Sequence, residues 1–343
     1  MYSGGDTVSI GIGACILDAE GLRLTPDEKN FFAEANPFGF ILFARNIDTP
    51  DQVRALCDEM REAVGREAPI SIDQEGGRVQ RLRTPMGREW LPPLEHVTAA
   101  GERAEEAMYL RYRLIAHELR ALGIDSNCAP LVDVAQEVTH PFLKNRCYGS
   151  DPAQVARIGR AVADGMLEGG VLPVLKHIPG HGRAQADSHM ELPLVDALRD
   201  ALEAVDFLPF KALNGLPMGM TAHLVYSQID DRPATLSPVI MRMIREDIGF
   251  DGLIMTDDIT MKALSGSLEE TAQDSIAAGC DVVLLCNATL DQRRSVAAAS
   301  GVLAGAGEAR AARAIAARQI PTEVDIPALE AKLDALINGR GDG

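Results

Sequence analysis

The densest chemistry in this 343-residue chain is the run Lys176-His177-Ile178-Pro179-Gly180-His181-Gly182-Arg183-Ala184-Gln185-Ala186-Asp187-Ser188-His189, which holds three of its seven histidines. An apolar stretch, Gly170-Val171-Leu172-Pro173-Val174-Leu175, leads into it and reads as a buried strand. An ammonium at the end of such a strand costs several kcal/mol unless a partner or a ligand compensates it. Lys176 and His177 are therefore candidates for ligand contact. The Pro-Gly-His-Gly segment behind them carries too many breakers for a helix, so the following residues form a loop. In Asp187-Ser188-His189 the carboxylate can orient and charge the imidazole, making His189 a proton donor and acceptor near neutral pH. A solvated loop with a helix cap is the plainer account of that triplet. Its position directly after the Lys-His run favours chemistry. His181 reads as structural, holding the loop through backbone hydrogen bonds.

Other groups stand at comparable places. Asp257 follows the apolar run Gly252-Leu253-Ile254-Met255-Thr256 directly, where an ionised carboxylate needs hydrogen bonds or a purpose. Asp258 beside it suits a helix cap, so only one of the two is expected to face a site. Asp73 precedes Gln74-Glu75-Gly76-Gly77, whose glycines can let backbone approach a ligand closely. Arg78, Arg81, Arg83 and Arg88 form a local positive patch suited to carboxylates and hydroxyls. Arg146 carries little meaning outside its motif.

The elements that must position these residues recur along the chain. Short apolar runs fall at 8–17, 38–43, 69–73, within 124–134, and at 171–177, 218–226, 252–257 and 281–286. Helical patterns separate them, several opening on cap signals: Thr49-Pro50-Asp51, Ser150-Asp151-Pro152 and Ser237-Pro238. Eight near-continuous apolar strands alternating with helices predict an α/β fold, a (β/α)8 barrel of the TIM type. An open doubly wound sheet is the alternative, but no Gly-x-Gly-x-x-Gly follows the first strand. The Ala-rich tail from about residue 297 predicts a closing helix and one extra C-terminal helix. No linker or composition shift divides residues 1–343, so one domain is expected. A barrel gathers function at the C-terminal ends of its strands. Arg45-Asn46, Asp73, Lys176-His177, His223 and Asp257-Asp258 all lie at or near such ends.

Composition narrows the partners. A net charge of −17 argues against nucleic acid and against an anionic membrane surface. The six cysteines are scattered without paired spacing, which argues for a reducing compartment. No signal peptide and no membrane span is legible, so a cytoplasmic protein is expected, as a monomer. With no phosphate loop, cysteine cluster or metal-ligand spacing, no metal, nucleotide or other cofactor is expected.

Taken together these motifs resemble glycoside hydrolase family 3, and more narrowly the bacterial β-N-acetylhexosaminidases of cell-wall recycling. The residues that carry the resemblance are Ile72-Asp73-Gln74-Glu75-Gly76-Gly77-Arg78-Val79-Gln80-Arg81, Asn145-Arg146 with Asp151-Pro152, and Lys176-His177-x-Pro179-Gly180-His181-Gly182. Asp187-Ser188-His189 and Met255-Thr256-Asp257-Asp258 complete it. Ile178 stands where the family usually has Phe, and Cys147-Tyr148 replaces the more usual Ser-Phe. The resemblance implies a retaining glycosidase with Asp257 as nucleophile and His189, paired with Asp187, as acid/base. It assigns Asp73, Arg81, Arg146, Lys176 and His177 to binding N-acetylglucosamine. It also implies the carbohydrate substrate: N-acetylglucosamine β-1,4-linked to a 1,6-anhydro-muropeptide, as met in peptidoglycan recycling.

Three rivals stand beside it. A metal-dependent hydrolase would use His177, His181, Asp187 and His189, but a Pro-Gly loop does not preset a helical ligand face and Lys176 would repel the ion. A catalytically dead sugar-binding protein should have lost Asp257 or His189, and both are present. A phosphorolytic enzyme of the same fold remains, because a neutral histidine tolerates an anionic acceptor better than a glutamate would.

Overall fold

Every apolar run yields a strand in the structure, a computed structural model that describes residues 11–185 and 192–338. In chain order these strands are β1 (Gly13–Asp18), β2 (Pro37–Leu42), β3 (Ile70–Ile72), β4 (Ser126–Asn127), β5 (Leu172–Ile178), β6 (Met218–Thr221), β7 (Leu253–Met255) and β8 (Val283–Leu285). They lie side by side, all parallel, from β7 through β6 down to β1 and on to β8. The ring closes where Met255 bridges Val282 and the Thr256 N–H donates to the Val282 carbonyl at 3.1 Å. Helices between the strands cover the outside, so the fold is the expected α/β barrel.

Side-chain alternation explains how the barrel aims its chemistry. Leu172 and Val174 of β5 belong to the interior cluster, as do Leu253 and Met255 of β7. Successive side chains of a strand point to opposite faces, so two residues further on Lys176 and Asp257 reach the same axis at its C-terminal mouth. On β3, Ile70 and Ile72 pack outward against the helices, which leaves Ser71 and then Asp73 on the inner face.

The capped helix starts follow the sequence. Thr49, Asp151 and Ser237 each accept a backbone N–H as N-cap, with proline next in the chain. Three features depart from expectation. β4 is only two residues long because the chain turns at Ala129-Pro130 and rejoins β5 where Leu131 bridges Lys176. The sixth run breaks after Thr221, and Val225–Tyr226 pairs instead with Leu194–Val195. The segment after β3 forms a hairpin, Gln74–Gly76 with Val79–Gln80. Its glycines serve packing rather than ligand approach: at Gly76 (φ 114°) a Cβ would stand 1.9 Å from Arg111 Nη2. After Leu290–Ser300 the tail holds the two helices expected, Gly305–Ala316 and Ile326–Asn338. Of these, Gly305–Ala316 closes the N-terminal end of the barrel, where Arg310 pairs with Asp251 and Asp281 just ahead of β7 and β8. All six cysteines are free and buried. Among the described residues no helix is long and apolar enough to cross a membrane.

Candidate active site

A cavity of about 600 Å³ opens at the C-terminal mouth of the barrel, lined among others by Asp73, Arg81, Arg146, Lys176, His177 and Asp257. The structure therefore brings together six of the eight site residues expected from sequence. The other two, Asp187 and His189, lie outside the described residues.

Charge in the cavity is organised around Glu75. Its carboxylate takes both prongs of Arg146, Nε at 2.9 Å and Nη2 at 2.7 Å, and Lys176 Nζ at 2.5 Å. Lys176 also lies 3.4 Å from Asp73 Oδ1, while Arg81 Nη2 donates to Asp73 Oδ2 at 3.0 Å. Burial alone would raise both carboxyls. Arg146 and Lys176 outweigh it at Glu75, and Lys176 and Arg81 outweigh it at Asp73, so both are held below the ordinary range. Burial would likewise lower Lys176, but Glu75 and Asp73 lift it above its ordinary value and fix it as an ammonium. Such a cluster survives burial only because each charge is paired and hydrogen-bonded.

Asp257 lines the same cavity. Burial would raise its carboxyl, and His177 and His223 outweigh that, keeping it below the ordinary range. Its Oδ1 accepts the Asp258 backbone N–H at 2.8 Å. Asp258 has a different task. It accepts from Thr260 Oγ1 at 2.7 Å and from the Cys286 N–H at 3.1 Å, and burial lifts it to about 6. It caps a tight turn rather than a helix, because the next helix begins only at Leu268.

His177 Nδ1 lies 2.7 Å from Asp133 Oδ2, and the His181 backbone N–H donates to Asp133 Oδ1 at 2.6 Å. The two rings meet edge to face at 5.6 Å, and burial, followed by His177, lowers His181 to about 4. His223 is buried behind the site, with Nδ1 2.7 Å from Thr235 Oγ1 and Nε2 3.1 Å from the Asp258 carbonyl. At the second strand end the pair divides. Arg45 lines the cavity and donates to Asn287 Oδ1 at 2.6 Å, whereas Asn46 is buried and ties its amide to the Ala19 and Gly21 carbonyls.

The arginine patch divides too. Arg78 and Arg81 line the cavity, Arg78 lying 3.4 Å from the centre of the Phe142 ring. Arg83 pairs with Glu89, and Arg88 with Glu330 on the last helix. Sequence reasoning missed Asp133, the organising role of Glu75, and the wall formed by His140, Phe142 and Asn287. Asp133 ends Leu131-Val132-Asp133, the same placement that drew notice to Asp73 and Asp257, so the signal was present.

The model of the "Glycosyl hydrolase family 3 N terminal domain" matches residues 15–320. A β-hexosaminidase of Alkalilimnicola ehrlichii is 39% identical over 285 residues, covering 80% of this chain and 81% of that protein. Among solved structures, native NagZ from Neisseria gonorrhoeae superposes with a TM-score of 0.83 at 32% identity, covering 96% of this chain and 97% of that one. The same neisserial protein has been solved in complex with N-trifluoroacetyl-D-glucosamine. A family 3 β-N-acetylglucosaminidase from a Paenibacillus species gives a TM-score of 0.84 at 28% identity, over 94% of this chain and 67% of that one.

Proposed function

The chain belongs to glycosyl hydrolase family 3, and on that premise we propose that it is a retaining β-N-acetylglucosaminidase acting through a covalent glycosyl-Asp257 intermediate. The observation that carries the reading is Asp257 itself: a carboxylate just past β7, held below its ordinary range inside a cavity that Lys176 and Arg146 also line. A retaining glycosidase needs such a nucleophile beneath the anomeric carbon and a second group that first protonates the leaving oxygen and then activates water. The Asp187–His189 pair takes that second role. Asp73, Arg81, Arg146, Lys176 and His177 hold the sugar, donors and acceptors arrayed around its hydroxyls. The substrate is terminal N-acetylglucosamine on a 1,6-anhydro-muropeptide, released in cytoplasmic peptidoglycan recycling by a single domain spanning residues 1–343. A sugar-sized complex of the neisserial relative supports the class of ligand, and a 600 Å³ cavity has room for more than one sugar ring.

The test is direct. The protein should hydrolyse a chromogenic β-N-acetylglucosaminide and leave the matching β-glucoside nearly untouched. A slow fluorosugar substrate followed by peptide mass analysis should find the sugar on Asp257. Absence of any adduct, together with tight inhibition by a thiazoline mimic of the cyclised acetamide, would assign the nucleophile to the substrate and sink the role of Asp257.

A further inference from the structure

Asp133 is buried beside the cavity and touches two of its histidines. Oδ2 lies 2.7 Å from His177 Nδ1, and Oδ1 accepts the His181 backbone N–H at 2.6 Å, with the His177 backbone N–H 3.4 Å away. An ionised carboxylate can only accept, so His177 Nδ1 must carry the proton of their contact. Burial would raise Asp133, but His177, by charge when protonated and by its Nδ1–H hydrogen bond in either state, together with the His181 backbone N–H, keeps the carboxyl below the ordinary range, which maintains that acceptor. Nε2 is then the ring atom left for the cavity that His177 lines, and it has no partner among the described residues. Lys176, Arg81 and Arg146, on the same walls, are donors only. A hydroxyl that accepts from one of these cations still has its own proton to place, and in a neutral ring of this tautomer Nε2 can take it.

The geometry points to Asp133 as a positioning residue: it fixes His177 as the Nδ1–H tautomer and so presents Nε2 as a hydrogen-bond acceptor to a hydroxyl of the bound sugar. The inference rests on the glycosidase reading, because it is the sugar that uses Nε2. A purely architectural Asp133 would matter only through its grip on the His181 backbone, and the two roles can be separated.

Asp133→Asn is the informative change. A carboxamide has one acceptor where the carboxylate had two, and two N–H groups face it. With its oxygen kept on the His181 N–H, its amino group meets Nδ1, and the contact survives only if His177 switches to the Nε2–H tautomer. Long-range ¹⁵N correlation spectra, with the His177 signals assigned by His177→Ala, should show Nδ1–H in the wild type and Nε2–H in the variant. With the chromogenic β-N-acetylglucosaminide, kcat/KM should fall about 10- to 100-fold, more through KM than through kcat, the loss expected when a buried polar group loses its complement. In the His177→Ala background the same Asn substitution should change kcat/KM by no more than about twofold, because the path it acts through is gone. An Nε2–H tautomer in the wild type, or equal losses in both backgrounds, overturns the inference. The wild-type spectrum decides the tautomer even if Asp133→Asn does not fold. A wild type without activity on the substrate would instead sink the functional reading, leaving the Asp133–His177 link to be judged from the spectrum.

Discussion

Lys176 and Arg146 reach the cavity as buried cations, and both close on Glu75, at 2.5 Å and 2.7 Å. Replacing that carboxylate by a neutral amide leaves two adjacent positive charges with Asp73 alone to answer them. Removing one partner of a buried ion cluster typically costs about 3–5 kcal/mol, because the uncompensated charge stays out of water. Glu75→Gln is therefore expected to lower stability by about 3 kcal/mol and to raise KM at least about tenfold. Urea unfolding and steady-state kinetics would read both, and an unchanged KM would show that Asp73 suffices. At this scale the sequence was legible where a polar residue interrupts an apolar run, which is how Asp73, Lys176, His177 and Asp257 stood out. Glu75 did not, because in sequence it is one more acidic loop residue, and its bidentate partner Arg146 lies 71 positions away. Asp133 carried the same signal, at the end of Leu131-Val132, although it lies well beyond the two-residue β4.

The segment after β5 illustrates what element-level reading misses. Its Pro-Gly-His-Gly composition suggests a long mobile loop, yet the structure binds residues 178–184 at several points. Tyr226 Oη donates to the Gly180 carbonyl, Thr139 Oγ1 donates to the Gly182 carbonyl at 2.5 Å, and Arg183 Nε donates to Asp206 at 2.7 Å. The His140 N–H donates to the Ala184 carbonyl at 3.1 Å. Breaker residues report only that no helix forms; they say nothing about which neighbours supply the hydrogen bonds. Gly182 measures the tightness, since a Cβ there would lie 2.0 Å from the Val134 carbonyl oxygen. Gly182→Ala should cost about 1–3 kcal/mol of stability, the usual penalty of overpacking. It should also depress kcat, because the displaced segment leads directly into Asp187 and His189. Gly215→Ala, where a Cβ meets nothing within 4 Å, is the matched control and should leave both quantities close to wild type. A Gly182→Ala enzyme with wild-type kcat would show that the acid/base pair we propose does not depend on this anchoring.

Over the whole molecule the barrel was legible because eight apolar runs between capped helices form a pattern that no single short strand has to carry. The tail was less so, because its role lies in ion pairs with distant strand ends, such as Arg310 with Asp281, that local composition does not announce. The same long-range burial sets the response to pH. Burial lifts Glu118 to about 7, and lifts Asp206 and Asp258 to about 6. A carboxyl raised in this way favours the folded state while protonated, and that contribution disappears as pH rises from its unfolded value through its folded one. Burial lowers His96 to about 3 and His181 to about 4, which works in the opposite sense: stability present above 6.5 is lost as pH falls. Between about pH 4.5 and 6.5 the two trends nearly cancel, so the melting temperature should be flat there. Below about pH 4 the histidines act together with the depressed carboxyls of Glu75 and Asp73, and stability should fall steeply. Glu118→Gln isolates one side of this balance. Glu118 accepts the Arg88 N–H at 3.0 Å, and a glutamine oxygen preserves that contact while removing the ionisation. The variant should be more stable than wild type by about 2 kcal/mol at pH 8, where wild-type Glu118 is charged, and indistinguishable from it at about pH 4.5. An equal shift at both pH values would mean that the substitution acts through packing, and that the buried Glu118 carboxyl does not tilt the stability curve.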